Sequence, residues 1–310
     1  MVPRPSPPAV SRRALDLEGA AGRLAADLVE PEDPQGFVML LHGGGQTRHS
    51  WHGTAAALAG QRWTTLTYDA RGHGDSDWAP SGDYSIDAYV ADLRLVIGQV
   101  APRRPLVLVG ASLGGMTILI GQAGTRGQAD TRGQADTRGP AGTPGLADGI
   151  VLVDIVPKPQ PGGVERIQRF MTANPDGFAS LDEAAAAIDA YNPRRGRPRD
   201  QSGLRKNLRH GDDGRWRWHW DPRILGDGSD LQALVTGTRA TDAAARLSGQ
   251  TLLVSGGDSD VVRQEDVLQF QKLVPNAQTV NVAGAGHMVA GDRNDRFADA
   301  IAQFLDRIQE

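Results

Sequence analysis

Five residues, Gly110-Ala111-Ser112-Leu113-Gly114, set a serine between two glycines. A serine hydroxyl is a weak nucleophile until the chain lifts it clear and aims it at a base. The G-x-S-x-G spacing does this when it forms a sharp turn between a strand and a helix. Only small flanking residues let the backbone fold so tightly. Here the apolar run Pro105-Leu106-Val107-Leu108-Val109 precedes the motif, and a helix-compatible segment, 113–122, follows it. Ser112 is therefore the candidate nucleophile.

Acyl transfer by serine also needs a base, an acid that orients the base, and donors for the oxyanion. Seven histidines compete for the first role: His42, His49, His52, His73, His210, His219 and His287. His287 closes Val282-Ala283-Gly284-Ala285-Gly286-His287, after the last expected strand and before the last expected helix. That loop falls at a strand's carboxyl end, on the same rim as Ser112, so His287 is the candidate base. His42 is expected to hold the oxyanion loop in shape. His73, in the turn Arg71-Gly72-His73-Gly74, is expected to brace the floor of the site.

The acid is expected after the preceding strand, 251–254, which runs into Ser255-Gly256-Gly257-Asp258-Ser259-Asp260. Both Asp258 and Asp260 fit. Asp260 is the choice, because its place further beyond the glycine turn lets it point back to His287. Asp154, ending the strand 150–153, is the lesser candidate. For the oxyanion, His42-Gly43-Gly44-Gly45 follows the apolar run 37–41 and can present a backbone N–H beside the serine. Gly44 is the expected donor, with Gly45 close behind, and the N–H of Leu113 is its companion.

The elements that must position these residues alternate along the chain. Short, wholly apolar runs at 37–41, 63–68, 106–109, 150–153 and 251–254, with a weaker one at 278–282, read as strands buried on both faces. Helical segments are expected at 86–100, 113–122, 262–273 and 295–308. A strand pair around a glycine turn is expected at 14–17 and 22–28. The pattern is an α/β fold, a doubly wound and mostly parallel sheet. Residues 1–12 read as a disordered tail, 13–156 and 236–310 as the two parts of the core, and 157–235 as an inserted cap of helix and hairpin. A tandem hexapeptide, Thr125-Arg126-Gly127-Gln128-Ala129-Asp130 and its following copies to Asp148, has almost no aliphatic residue to stack inside a β-helix. It reads as a flexible surface loop.

Composition narrows the function. The chain has 310 residues, a formal net charge of −4 and no cysteine. Disulfides, thiolate metal sites and cysteine nucleophiles are thereby excluded, and nothing global invites nucleic acid or an anionic membrane. No apolar run nears the roughly 20 residues of a membrane span, and the proline-rich start lacks a signal peptide's apolar core. The reading is a cytoplasmic protein that needs no cofactor and holds no metal, its partner a small-molecule substrate. Asp75, Asp77 and Asp83 lack the spacing of a calcium loop. The arginines Arg194, Arg195, Arg197, Arg199, Arg205 and Arg209 read as a solvated cap loop. Within the cap, Trp216, Trp218 and Trp220 alternate and are expected on one face of a strand. They are the candidate substrate-binding residues, although such a stripe is more often cap core.

With these residues in view, the chain resembles a capped member of the α/β-hydrolase superfamily over about residues 24–308. The resemblance rests on His42-Gly43-Gly44-Gly45, on the stretch from Tyr68 to Ser76, on Gly110 to Gly115, on Gly257 to Asp260 and on Gly284 to His287. It is nearest to bacterial esterase-like members, which include cofactor-free haloperoxidases, enol-lactonases and epoxide hydrolases. The resemblance implies the fold, the triad order Ser…Asp…His and the oxyanion hole, but not the substrate. Epoxide hydrolases of this fold carry an aspartate at the nucleophile position, so Ser112 argues for acyl chemistry. The expected activity is hydrolysis of a small ester, thioester or lactone through an acyl-enzyme. A perhydrolase using the same triad and a ligand-binding sensor are the alternatives, and the oligomeric state stays open.

Overall fold

A computed structural model describes residues 10–124, 145–192, 202–226, 237–287, 289 and 294–309. Most of the expected tail, the repeats through residue 144 and the arginines at 194–199 lie outside the described residues. Residues 10–12, assigned above to the tail, belong to the first strand.

Ten strands are described: β1 Val10–Gly19, β2 Gly22–Pro31, β3 Gly36–Leu41, β4 Trp63–Tyr68, β5 Leu106–Ala111, β6 Gly149–Val153, β7 Leu208–His210, β8 Trp216–Trp218, β9 Gln250–Gly256 and β10 Gln278–Val282. Eight of them form one sheet in the order β1-β2-β4-β3-β5-β6-β9-β10. The pairs β1–β2 and β2–β4 are antiparallel, and every pairing from β4 to β10 is parallel. The four strands β3 to β6 are buried almost throughout, as continuous apolar runs in a parallel sheet must be.

Eight helices of the described residues are named here: α1 His52–Ala59, α2 Ile86–Val100, α3 Leu113–Ala123, α4 Pro161–Thr172, α5 Leu181–Tyr191, α6 Arg239–Ala245, α7 Gln264–Leu273 and α8 Asn294–Ile308. One core lies under α2, α3 and α7, where Tyr89, Leu93, Met116, Leu119 and Phe270 pack on one face of the sheet. A second lies under α1 and α8, where Leu58, Phe297, Ile301 and Phe304 pack on the other. Helices on both faces define the doubly wound fold. None of the described helices is long and apolar enough to cross a membrane.

Between β6 and α6 the chain leaves the sheet to form α4, α5 and the β7–β8 hairpin. The hairpin pairs Leu208 with Trp218 and His210 with Trp216. Its apolar residues Phe178, Leu208, Trp218 and Trp220 join the larger core rather than forming one of their own.

Among the described residues, a buried ion pair ties the layers together. Arg71 donates to both oxygens of Asp92 on α2, at 2.6 and 2.7 Å, and both side chains are nearly inaccessible. Asp92 also accepts from the Ala20 N–H, in the turn between β1 and β2, at 2.8 Å. Removing one partner leaves a buried charge uncompensated. Asp92→Ala is therefore expected to cost about 3–5 kcal/mol, read as a lower urea midpoint with an unchanged slope.

Candidate active site

At the carboxyl end of β5 the chain turns directly into α3. Ser112 stands in that turn with φ 46° and ψ −111°, a conformation strained for any residue but glycine. The turn closes because its neighbours lack side chains. A Cβ on Gly110 would lie 2.4 Å from the Gly114 backbone, and one on Gly114 would lie 2.5 Å from the Leu41 carbonyl. The Ser112 N–H donates to the Val153 carbonyl at 3.2 Å, fixing the turn against the end of β6.

His287 follows β10. Its Nδ1 lies 2.8 Å from Oδ2 of Asp154, so that nitrogen carries the proton and Nε2 is left as the base. Asp154 is fully buried, at φ 48°. Its Oδ1 also accepts from the Gly256 N–H at 2.9 Å, and its Oδ2 from the Ser259 hydroxyl at 2.5 Å.

The expected pairing of Asp260 with His287 is not formed. Asp260 is two-fifths exposed and pairs with Arg166 on α4 at 2.9 Å, and its own carbonyl abuts Gly163. Asp258 is exposed as well. The reason is lateral. β6 and β9 are neighbours in the sheet, with Val153 opposite Val254. The first residue beyond β6 therefore already sits beside the turn after β9. That turn contributes a hydroxyl, Ser259, in place of a carboxylate.

The oxyanion loop is held by imidazoles. His42 Nε2 faces the Ala70 N–H at 2.9 Å and must accept, so Nδ1 donates to the Gly43 carbonyl at 2.8 Å. His73 Nε2 accepts from the Gly45 N–H at 3.1 Å while Nδ1 donates to the Arg71 carbonyl at 3.0 Å. The Gly45 N–H is thus engaged. Neither the Gly44 nor the Leu113 N–H has an acceptor among the described residues. Gly43 packs against Ser112, where an added Cβ would come within 3.3 Å of the serine's own. His219, beyond the hairpin, accepts from the Gly74 N–H at 2.7 Å and ties that segment to the same floor. Its role is a long-range packing one that local sequence does not signal.

A cavity of about 520 Å³ opens over these groups. Ser112, Leu113, Gly44 and His287 line it, and the roof carries Phe170, Met171, Trp218 and Trp220. Trp218 and Trp220 stack at 4.9 Å between centroids and 12° between planes. Trp216 is not among the lining residues; it packs against His210 and under Arg205. The expected common face therefore holds for two of the three tryptophans, both buried and both on the cavity wall.

A parallel sheet, a strained serine turn, a buried carboxylate–imidazole pair and free backbone donors define the class of hydrolase built on an α/β sheet. The comparisons agree. The sequence model of the Alpha/beta hydrolase family matches residues 38–300, and the chain belongs to that family. It is 29% identical over 276 residues to Esterase Rv0045c of Mycobacterium tuberculosis, covering 87% of this chain and 82% of that one. It is 26% identical over 294 residues to the mouse (Mus musculus) sn-1-specific diacylglycerol lipase ABHD11, covering 91% and 85%. The solved structure of E-2-(acetamidomethylene)succinate hydrolase superposes with a TM-score of 0.76 at 20% identity, over 96% of this chain and all of that one, a likeness of fold.

The three floor imidazoles also set a pH dependence. Burial, the largest cause, lowers His42 and His73 below the ordinary 6.5, and takes His219 down to about 3. Between 6.5 and those folded values the unfolded chain binds more protons than the native one. Stability conferred by the neutral rings is therefore complete above 6.5 and falls as pH drops. Each ring adds a slope of at most about 1.4 kcal/mol per pH unit. Urea unfolding at pH 7, 6 and 5 is expected to show this fall, and His219→Gln is expected to show a shallower one.

Proposed function

We propose that this chain is a serine hydrolase that cleaves a small carboxylic ester, thioester or lactone through an acyl-enzyme. The observation that carries the reading is the Asp154–His287 pair, 2.8 Å apart, whose imidazole lines a cavity that Ser112 also lines. Ser112 Oγ would attack the acyl carbon as His287 Nε2 takes its proton. Asp154, ionised and held by three donors, would keep His287 in the correct tautomer and stabilise the imidazolium. The Gly44 and Leu113 amides would receive the negative charge developing on the carbonyl oxygen, in a site with little water. His287 would then protonate the leaving group, and the same steps with water as nucleophile would release the acid.

The roof argues for the acyl or leaving group. Phe170, Trp218 and Trp220 offer an aromatic, apolar wall, and the volume lies within the range of small-molecule sites. The esterase named among the relatives is consistent with this substrate class. The reading departs from the sequence expectation in its acid, Asp154, and in leaving Trp216 off the cavity wall.

Ser112→Ala is expected to lower kcat on p-nitrophenyl esters by about 10⁴ or more while the fold persists, and to abolish labelling by a fluorophosphonate. Near-normal turnover in that variant would sink the serine mechanism. Asp154→Asn is expected to lose on the order of 10⁴ in kcat, and Asp260→Asn to lose little; the reverse ranking would return the acid to the turn after β9. For the roof, Trp220→Leu should lower kcat/KM for bulky apolar esters more than for acetate esters. An equal fall across the series would mark Trp220 as structural.

A further inference from the structure

Two histidines on the cavity lining take no part in the proposed mechanism. His49 and His52 stand three residues apart, across the junction of a short 3-10 turn, Arg48–Trp51, and α1. That spacing puts their rings on one side of the helix. They meet Asp27, which β2 holds in register against Thr67 of β4. His49 Nδ1 is 3.0 Å from His52 Nε2 and 3.9 Å from Asp27 Oδ2, and His52 Nε2 is 3.3 Å from the same oxygen.

Those three separations suit a shared ion. Metal–nitrogen distances near 2.0–2.1 Å place tetrahedral ligand atoms about 3.3 Å apart. A point about 2.0 Å from all three atoms lies inside the triangle they form, which is within the range of zinc–ligand distances. Hydrogen bonding accounts for two edges of the triangle, His49 to His52 and His52 to Asp27, and leaves the 3.9 Å edge from His49 to Asp27 without a role. Asp27 and His49 are about three-quarters buried and His52 is half exposed, so the site is both supported and reachable.

Surrounding charge permits a dication. Arg48 Nε donates to Asp27 Oδ2 at 3.1 Å, and the same guanidinium pairs with Asp69 and with Asp75. Lys206 lies on the same cavity, and Arg209 faces Asp75. Three carboxylates thus balance three cations, so an added dication meets no net positive field. Two imidazoles and one carboxylate select zinc and its borderline neighbours over calcium or magnesium.

We propose that Asp27, His49 and His52 form a three-ligand site for a zinc-class transition-metal ion on the wall of the catalytic cavity, its fourth position open to the cavity. An ion there narrows the cavity and offers a competing ligand position for substrate oxygens, so occupancy inhibits turnover. Metal binding stands without the hydrolase reading; inhibition rests on it.

The test is isothermal titration of untagged, full-length protein with zinc chloride in a non-coordinating buffer. The chain has no cysteine to compete. Binding of one equivalent is expected, weakened at least about tenfold by His52→Ala and by His49→Gln, since even outer-shell partners of metal ligands carry 10–100-fold. Circular dichroism and melting curves confirm that each variant folds. His287→Ala is expected to keep the affinity. Absence of binding to the folded wild type, equal affinity in both variants, or loss in His287→Ala would overturn the site. Ester hydrolysis with and without zinc, each variant against its own metal-free rate, reads the second claim. Wild type should be inhibited and His52→Ala resistant at the same concentration. Zinc that binds and leaves the rate unchanged would overturn the inhibitory role. A protein without esterase activity would overturn the hydrolase reading while calorimetry still decides the site.

Discussion

An ionised carboxylate removed from water is stable only where donors replace its hydration, and the buried Asp154 meets that condition with three of them. Gly256 supplies a backbone N–H, Ser259 a hydroxyl and His287 an imidazole N–H. Each donor belongs to a different stretch: the end of β9, the turn after it and the loop after β10. The carboxylate is therefore a common anchor for three pieces of chain that backbone hydrogen bonds also join. The strained backbone at Asp154, φ 48°, persists because these bonds over-determine it. On the other side, the Ser112 N–H bonds the carbonyl just before Asp154. The Ser112 turn and the Asp154 carboxylate are thus one peptide apart across a β-ladder.

The opposite wall is braced by neutral rings. His42, His73 and His219 are buried, neutral and close together, with His73 5.1 Å from His42 and 6.0 Å from His219 between ring centroids. A neutral imidazole can accept on one nitrogen and donate on the other, and His42 and His73 do both to the backbone. They act as rigid spacers between the loop at Gly43–Gly45 and the turn at Ala70–Gly74. The consequence for chemistry is a fixed aim for the Gly44 amide. The nearest buried charge, Asp69, is neutralised by Arg48, which pairs with it.

Sequence carried the parts of this arrangement that are local. The glycines around Ser112 dictate a turn whatever surrounds it, and α2 begins and ends where its periodicity placed it, at Ile86 and Val100. His287 was legible because a glycine-rich loop after the last strand leaves few other places for it. The acid was not. Whether Asp154 or Asp260 faces His287 depends on which strand ends are neighbours, and sheet order is a non-local fact. The tryptophan alternation was legible as a strand, but β8 stops at Trp218, and Trp220 reaches the cavity from beyond its end. The cluster of Asp27 with His49 and His52 was invisible for the same reason as Asp154: its members meet only after β2 docks on β4.

Asp154 also has a place in the chain's modular layout. It closes β6, and within a few residues the polypeptide departs into α4 and the roof of the cavity. The residue bonded to the imidazole is therefore the root from which the roof grows. Recombining roofs between such proteins is a splice at this root, and a junction set even one residue too early would exchange that carboxylate along with the roof. Loops after β9, by contrast, carry only a hydroxyl toward the site and are the freer ground for insertion and drift.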